Sequence, residues 1–508
     1  MKKLSLYFLA AVFAFGAASC KKDWLDVNTN PNTPTSTTPQ LIFTNAVNTF
    51  ISNTALHQFG SNMAGQYSQS TSFIGGQPSQ TYAISNTDFN FFTGFYNNLN
   101  DFQYVIDNAT TDNTKHLGGF ARVMKAFVYQ RAVDLYGDIP YTEALKGTKG
   151  LQPKYDDDKF IYEDLIKVLD TAITNIKASS VNTDAADIVF GGNRTNWIKL
   201  ANSLKLRLLM HQSYIPGRDG YIIGEINRAV AEGTGFLDAG LDASASPGYI
   251  AGSAGKINPF FAAFGYDQNF AQAQGVRLVK ISQLVIEQFK TTSDTFRLKR
   301  AAAPAGGFSK AQIVANYKGV PYGGTGNAFL ESLTSSVGPA IVNVTFDATG
   351  KITGGNQTMR VIIMQASEAY LHRAEAKQRY GAGVNLPLTA QQYYELGVRE
   401  NFRLVGSTDA QATLLLTGGK ANADFTASPD KLSAIQYQKY LTHLNFDGLE
   451  AWTEQRKSEI PPKPLSLQAA TPTAPVRLFY PLVEESSNGI NTPDNISIFT
   501  SKIFWDVN

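Results

Sequence analysis

The sequence has a single cysteine in 508 residues, Cys20, so the chain cannot form an intramolecular disulfide. The fold must therefore be stabilised by an apolar core, which a chain of this length can build because large chains bury ~75% of their unfolded surface. A basic surplus is also lacking, since 44 Lys and Arg residues stand against 42 Asp and Glu residues. We therefore expect no nucleic-acid partner, because binding to phosphates requires such a surplus.

The motifs of several enzyme and cofactor classes are missing as well. The sequence has no serine-centred elbow, phosphate-binding loop or dinucleotide fingerprint, and the glycine-rich run 323–326 lacks a lysine. The five histidines show no metal-ligand spacing. The acidic run 156–158 lacks the alternating ligands of a calcium loop, so we interpret it as a helix-capping, solvated segment. The sequence thus predicts no catalytic residue, no cofactor and no metal.

The N-terminus is typical of an exported lipoprotein. Two lysines precede an almost uninterrupted apolar run from Leu4 to Phe15, and small residues then lead to Cys20. This is the pattern of a signal peptide, and the run is too short to span a membrane as a helix, which needs ~20 residues. We predict that residues 1–19 are removed, that Cys20 is lipidated, and that residues 20–38 form a flexible tether. An ordinary secreted protein with one spare thiol is the alternative, because Ala17 replaces the usual leucine.

Apolar residues recur at helical spacing through most of the remaining chain, which predicts a mainly α fold with long loops and few short strands. Two helix pairs, 119–136 with 161–176 and 361–380 with 389–402, have the size of tetratricopeptide hairpins that could form a scaffold. Residues 389–392 predict a capping box at the start of the last of these helices. Strands are predicted only at 340–346 and 476–480. Other predicted helices are 39–52, 195–209 and 432–444; segments 60–95, 213–275 and 300–345 are predicted to be mainly loop.

A series of motifs resembles the SusD/RagB family of nutrient-binding outer-membrane lipoproteins, and within it the SusD-like branch. The series spans residues 20 to 508 and keeps the family order. In sequence it comprises DVNTNPN at 26–32, LYGDIPYTEA at 135–144, ANSLKLR at 201–207, YKGVP at 317–321, SEAY at 367–370 with AEA at 374–376, GLEAWTEQR at 448–456, YPLVE at 480–484 and FW at 504–505.

The resemblance implies a function as well as a fold. Residues 39–508 would form a helical nutrient-binding domain anchored by lipid to the outer membrane and facing the cell exterior. It would bind an oligosaccharide, or less readily a peptide, and deliver it to a partner TonB-dependent transporter of the SusC-like type. The protein would not be an enzyme. A surface glycoside hydrolase and a purely structural interaction lipoprotein remain the alternatives from other classes.

The charged residues of the family motifs are interpreted as structural. Glu368 and Glu375 lie two helical turns apart, and we expect such buried carboxylates to pair with an arginine such as Arg207. Glu450, Glu454 and Arg456 are expected to form a local set of salt bridges, and Asp138 is expected to bond backbone N–H groups in a turn.

Aromatic residues in the glycine-rich segments are the candidates for ligand binding, because sugar rings present apolar C–H faces that stack on aromatic rings. Tyrosines are preferred over phenylalanines because a hydroxyl tolerates a wet surface, whereas Phe usually belongs to a core. The predicted ligand-binding residues are Tyr67, Tyr82, Tyr249, Tyr266 and Tyr322.

Overall fold

The computed structural model describes residues 37–71 and 77–508, and most of its regular structure is helical. Residues Pro39–Asn508 form one unit, as a mainly α scaffold with long connections. The predicted fold class is confirmed. The helices in chain order are α1 (Pro39–Ile51), α2 (Thr54–Met63), α3 (Pro78–Thr81), α4 (Phe92–Asn108), α5 (Lys115–Tyr136), α6 (Asp158–Ala178), α7 (Arg194–His211), α8 (Asp219–Ala231), α9 (Pro259–Phe264), α10 (Gln274–Leu278), α11 (Gln283–Thr291), α12 (Thr295–Ala301), α13 (Ala366–Tyr380), α14 (Ala390–Leu404), α15 (Asp409–Leu416), α16 (Lys431–His443), α17 (Gly448–Ser458) and α18 (Leu482–Asn488).

Strands are short and pair only in twos within the described ranges. Each pair is antiparallel, and the first joins two distant segments, with Tyr67 opposite Ile281. Among the described residues, none of the helices combines the length and apolar character needed to cross a bilayer. The paired strands are β1 (Tyr67–Gln69) with β5 (Val279–Ile281), β2 (Ile139–Pro140) with β3 (Tyr155–Asp156), β4 (Ala243–Ala245) with β8 (Val361–Met364), and β6 (Thr345–Phe346) with β7 (Ile352–Gly354).

Two helical hairpins dominate the packing. Helices α5 and α6 contact each other along their length, and so do α13 and α14, as the sequence predicted. A glycine lies at the closest approach in each hairpin: a Cβ built on Gly119 would come 2.6 Å from Ile176 Cγ1, and one on Gly397 would come 2.8 Å from Leu371 Cγ. Larger side chains at these positions would force the helices apart, since packed interiors have little free space.

Side-chain caps define where several helices begin. The Thr389 hydroxyl accepts a hydrogen bond from the N–H of Gln392, and the Gln392 side chain accepts one from the N–H of Thr389. The predicted capping box is therefore confirmed. At α6 the Asp157 carboxylate accepts from the N–H of Phe160 at 2.8 Å. Both contacts satisfy backbone donors that have no partner within the helix.

The segment 361–380 was predicted to be one helix, but its first residues form strand β8. Val361–Met364 pair with β4, and α13 begins only at Ala366. The run contains β-branched side chains, which fit a pleated strand well. Its apolar residues satisfy helical spacing too, so the local pattern alone favoured the wrong structure.

The two predicted strands are also largely wrong. Only Thr345–Phe346 of segment 340–346 is a strand, and 476–480 contains none. In segment 476–480, the N–H of Val476 bonds to Ile498 O and the N–H of Leu478 bonds to Leu135 O, so the backbone partners of this segment come from two separate parts of the chain.

Helix α8 lies within 213–275, which was predicted to be mainly loop, and buries Ile222, Ile226 and Ala229 at helical spacing.

A buried ion network joins α7, α13 and α17. The Arg207 guanidinium bonds both carboxylate oxygens of Glu368, at 2.6 and 2.8 Å, and also lies 3.3 Å from Glu450 Oε2. His211 Nε2 contacts the other oxygen of Glu450 at 2.7 Å. Burial alone would raise the pKa of Glu368, but Arg207, His372 and His443 together outweigh it and lower that pKa to about 2. The expected pairing of Arg207 is confirmed.

A second part of the network adds α16. The Lys439 ammonium lies 2.5 Å from Glu375 and 3.0 Å from Glu454, and the Lys457 ammonium lies 3.1 Å from Glu375 and 2.6 Å from Glu454. The expected local set of Glu450, Glu454 and Arg456 was therefore wrong: within α17 only Glu454 and Lys457 pair among the described residues, and Glu450 pairs with Arg207 of α7. Arg456 instead donates to the backbone carbonyls of Val476 and Asp134.

We predict that Glu368→Gln destabilises the protein by about 3–5 kcal/mol, because it leaves the buried Arg207 without its main counter-charge. Glu287→Gln is the matched control: Glu287 pairs with Lys290 at 3.1 Å, but its side chain is 50% exposed, and such pairs contribute under about 1 kcal/mol. Urea unfolding at neutral pH followed by circular dichroism measures both. Equal losses in the two variants would contradict the role assigned to the network.

Candidate functional site

A cleft lies between residues 84–86 and the C-terminal segment 479–496. Its volume is about 690 Å³, within the ~300–1,000 Å³ that is usual for small-molecule sites. Two hydrogen bonds join its walls: Asn86 Nδ2 donates to Glu485 Oε2 at 2.8 Å, and the N–H of Leu482 donates to Asn86 O at 2.9 Å. The N-terminal end of α18 is thereby fixed against the loop that precedes α4.

The cleft combines aromatic side chains with polar groups. Phe479 is half-buried, while Tyr480 is buried, stacks on Tyr136 with the ring centroids 6.1 Å apart, and donates from its hydroxyl to Asp138 O. The polar lining residues are Ser85, Asn86, Glu485, Thr492, Asp494 and Asn495. Amide, hydroxyl and carboxylate groups beside an aromatic ring suit a ligand with many hydroxyl groups and apolar C–H faces.

The cleft has a negative charge bias. Glu485 and Asp494 are its acidic residues, and no Lys, Arg or His is found among the described residues that line it. Neither carboxylate makes an ion pair within the described part of the chain. The site therefore favours a neutral ligand over an acidic one, because a ligand carboxylate would face uncompensated like charge.

Three of the predicted ligand-binding tyrosines are buried. Tyr67 is fully buried in β1, where its hydroxyl donates to Asn445 Oδ1 at 2.8 Å and contacts His57 Nε2 at 3.1 Å. Tyr82 and Tyr322 are only 2% and 3% exposed. Burial raises the pKa of all three hydroxyls. Tyr67 and Tyr82 offer no free stacking face, so the expectation is corrected for them. Tyr322 lines a cavity of about 320 Å³, and ligand binding by it stays a prediction.

The rings of Tyr82 and Tyr322 instead surround a lysine. The Lys463 ammonium lies 5.3 Å from the centroid of Tyr82 and 4.6 Å from that of Tyr322, and it has no hydrogen-bond partner in the described ranges. The Tyr322 hydroxyl donates to Ser79 O at 2.6 Å. Burial lowers the pKa of Lys463 to about 7. Attraction between the cation and the two aromatic faces is therefore its main compensation.

Tyr249 and Tyr266 are half-buried and lie outside the cleft around Phe479. Burial raises the pKa of Tyr249 to about 12. Tyr266 lies beside Phe261, with the two ring centroids 6.3 Å apart. Ligand binding by these two tyrosines stays a prediction. Phe479 and Asn495 were not predicted because they lie outside the glycine-rich segments; the polar run NTPDN at 491–495 was the available signal.

The fold does bring histidines and carboxylates together, although their spacing in the sequence gave no such indication. His211, Glu450 and Glu454 have side-chain ligand atoms within 4.8 Å of one another, as do His372, Glu375 and Glu454. Arg207, Lys439 and Lys457 already balance these carboxylates. A divalent cation there would face the positive groups that hold the helices together, so these clusters are structural rather than metal sites.

The acidic residues near α6 also bind the backbone. Asp138 Oδ1 accepts from the N–H of Asp158 at 3.0 Å, as expected of a turn residue, and Asp158 Oδ2 accepts from the N–H of Phe504 at 2.9 Å. Asp156 Oδ2 accepts from the N–H groups of Tyr141 and Thr142. These carboxylates link α6 to its neighbouring loops.

Comparison with known proteins identifies relatives across nearly the whole chain. A family model described as "Starch-binding associating with outer membrane" matches residues 31–481. No curated protein sequence matches the chain at a significant level. Several solved structures share the fold. A chitin-binding protein is 22% identical, with 92% of this chain and 99% of that chain aligned and a TM-score of 0.70. A SusD homologue from Bacteroides fragilis is 21% identical, with 93% of this chain and 99% of that chain aligned and a TM-score of 0.72. A chitin-binding SusD homologue from Flavobacterium johnsoniae is 18% identical, with 92% of this chain and 99% of that chain aligned and a TM-score of 0.72.

We predict that Lys463→Met raises the melting temperature most at low pH. The pKa of Lys463 is about 7 in the folded protein and 10.5 in its ordinary state, so the unfolded chain binds more protons between these values. The cost of burying the charge is therefore full below about pH 7 and disappears towards pH 10.5. Scanning calorimetry from pH 6 to pH 10 measures the effect, with the exposed Lys420→Met as control. A gain that does not change with pH would contradict this account.

Proposed function

We propose that this chain, which belongs to the SusD/RagB family of nutrient-binding proteins associated with the outer membrane, captures glycan oligomers at the cell surface. The match of the family model over residues 31–481 carries this proposal. The chitin-binding relatives support a glycan over a peptide. Binding, and not hydrolysis, is the proposed activity.

The cleft around Phe479 is the proposed binding site. A sugar ring stacked on Phe479 would place its hydroxyl groups among Asn86, Asp494 and Asn495, which line the same cleft. The bond from Asn86 to Glu485 holds the two walls together before ligand arrives, so little ordering entropy is lost on binding. The acidic lining supports a neutral glycan as the ligand.

We further propose that Cys20 carries the lipid anchor and that a SusC-like TonB-dependent transporter receives the glycan. Cys20 lies outside the described residues, and its role is inferred from the signal-peptide pattern. Each buried lipid methylene contributes ~0.8 kcal/mol to membrane binding, which makes acylation the main attachment. The partner is inferred from family membership.

One membrane preparation tests anchoring and partner together. The tagged wild-type chain should sediment with outer membranes and, after detergent extraction, co-purify with a large β-barrel protein encoded nearby. Cys20→Ala should appear in the soluble fraction, because it lacks the acylated thiol. Membrane retention of Cys20→Ala would sink the anchoring proposal, and an intact bait that repeatedly recovers no barrel would sink the partner proposal.

The glycan site is tested by Asp494→Ala. Asp494 is exposed at the cleft and makes no ion pair in the described ranges, so its removal should leave the fold unchanged. Hydrogen bonds to charged groups contribute ~1.5–3 kcal/mol, so we expect about 10- to 100-fold weaker binding of a neutral oligosaccharide. Calorimetric titration with maltooligosaccharides and chitooligosaccharides measures this.

Asp112→Ala is the matched control, because the Asp112 side chain is 90% exposed and lies outside the cleft. It should bind the oligosaccharide like the wild-type protein. If Asp494→Ala also binds like wild type, the glycan site does not include Asp494.

A further inference from the structure

A second cavity of about 380 Å³ lies among α1, α4 and α5 and shares no lining residue with the cleft around Phe479. Its apolar walls include Phe50 and Phe95, which are almost completely buried. Its polar lining comes from asparagines, Thr49, Ser52 and one arginine, Arg131. The cavity is thus built from the helical scaffold and not from the long loops.

Asn98 presents a fixed polar group to this cavity. The residue is only 4% exposed, and its Nδ2 donates to Ala46 O at 2.9 Å. That bond orients the amide, and the carbonyl oxygen Oδ1 has no hydrogen-bond partner in the part of the chain that the structure describes. Asn98 lines the cavity, so this oxygen is available as an acceptor for a hydroxyl group that enters it.

Arg131 is the one ionisable side chain among the described residues that line the cavity. Its guanidinium carbon lies 4.3 Å from the centroid of Phe50, and Nη2 donates to Asp447 Oδ2 at 3.0 Å. Nε and Nη1 have no partner among the described residues, so they remain available as charged donors beside that ion pair. The other cleft offers carboxylates instead, from Glu485 and Asp494. The two cavities therefore differ in the ionisable groups that they present to a ligand.

We infer that this second cavity binds the carboxylate of an acidic sugar unit, a hexuronic acid. The free N–H groups of Arg131 match a carboxylate, which guanidinium groups bind with directed hydrogen bonds. Asn98 Oδ1 accepts from a sugar hydroxyl, and Phe50 and Phe95 enclose the ring. The inference does not depend on glycan binding at the Phe479 cleft.

Gly94 allows the cavity to be closed without disturbing the core. It lines the cavity on the first turn of α4, and a Cβ built there meets no heavy atom within 4 Å. A leucine at this position therefore projects into open space. Gly220 in α8 is an equivalent helical glycine with the same free surroundings, which makes Gly220→Leu the matched control for the change in helix propensity.

The probes are sodium glucuronate and sodium galacturonate, with glucose as the neutral reference, titrated calorimetrically into the intact mature chain. A uronate should bind at least about tenfold more tightly than glucose, and its affinity should fall as salt is added. Gly94→Leu should weaken uronate binding at least about tenfold without lowering the melting temperature, whereas Gly220→Leu and the cleft variant Asp494→Ala should bind it like wild type.

Three results would overturn the inference: no uronate binding by the wild-type chain, glucose binding as tight as that of both uronates, or full uronate binding by Gly94→Leu. Loss of uronate binding in Asp494→Ala with retention in Gly94→Leu would assign the acidic sugar to the other cleft and likewise refute the proposal. A failure of neutral-glycan binding at the Phe479 cleft leaves these readouts unaffected, so the two proposals fail separately.

Discussion

Charge balance inside the scaffold is the constraint on which the rest of the structure depends. Arg207, Glu368, Lys439 and Glu454 are buried, and they lie on four different helices, α7, α13, α16 and α17. An isolated buried charge is very costly, and a pair offsets this cost only when its geometry is complete. The charges are balanced only when α7, α13, α16 and α17 are all in place. The network therefore determines how the four helices are positioned relative to one another more than it stabilises each helix by itself.

The cleft proposed to bind glycan lies apart from the tightly packed hairpins. The hairpins α5–α6 and α13–α14 pack closely at Gly119 and Gly397, which leaves little room for variation in their contacts. The cleft around Phe479 is formed instead by the C-terminal segment, whose backbone bonds to several distant parts of the chain. Segments of this kind can change their side chains without disturbing a core, and this is how one fold supports many ligand specificities.

Burial also explains why aromatic residues in loops were poor guides to a binding site. Tyr82 and Tyr322 hold the Lys463 ammonium, and Tyr67 completes a hydrogen-bond chain with His57 and Asn445. In each case the ring fastens a long segment to the helices. Charge is the more informative property of the two cavities, because Glu485 and Asp494 line one and Arg131 the other. Electrostatic complementarity of this type separates ligands of similar shape.

The sequence by itself determined the features that rest on local spacing. Helical periodicity predicted most long helices and both hairpins, Thr389 and Gln392 predicted a cap, and the motif series pointed to the family. It also predicted the pairing of Arg207 with a buried carboxylate. The helix and cap signals lie within a few helical turns, where the backbone geometry fixes which side chains meet. The pairing of Arg207 joins residues 161 positions apart, and it followed instead from the cost of an unpaired buried charge.

Tertiary structure alone decided the remainder. Val361–Met364 form a strand because β4 lies beside them. Lys463 lies against two tyrosines contributed by distant segments. The Phe479 cleft joins residues about 400 positions apart, as the bond from Asn86 to Glu485 shows. Such contacts have no characteristic spacing in the sequence. They arise when elements pack, and burial then determines whether an aromatic or charged side chain supports the fold or faces a ligand.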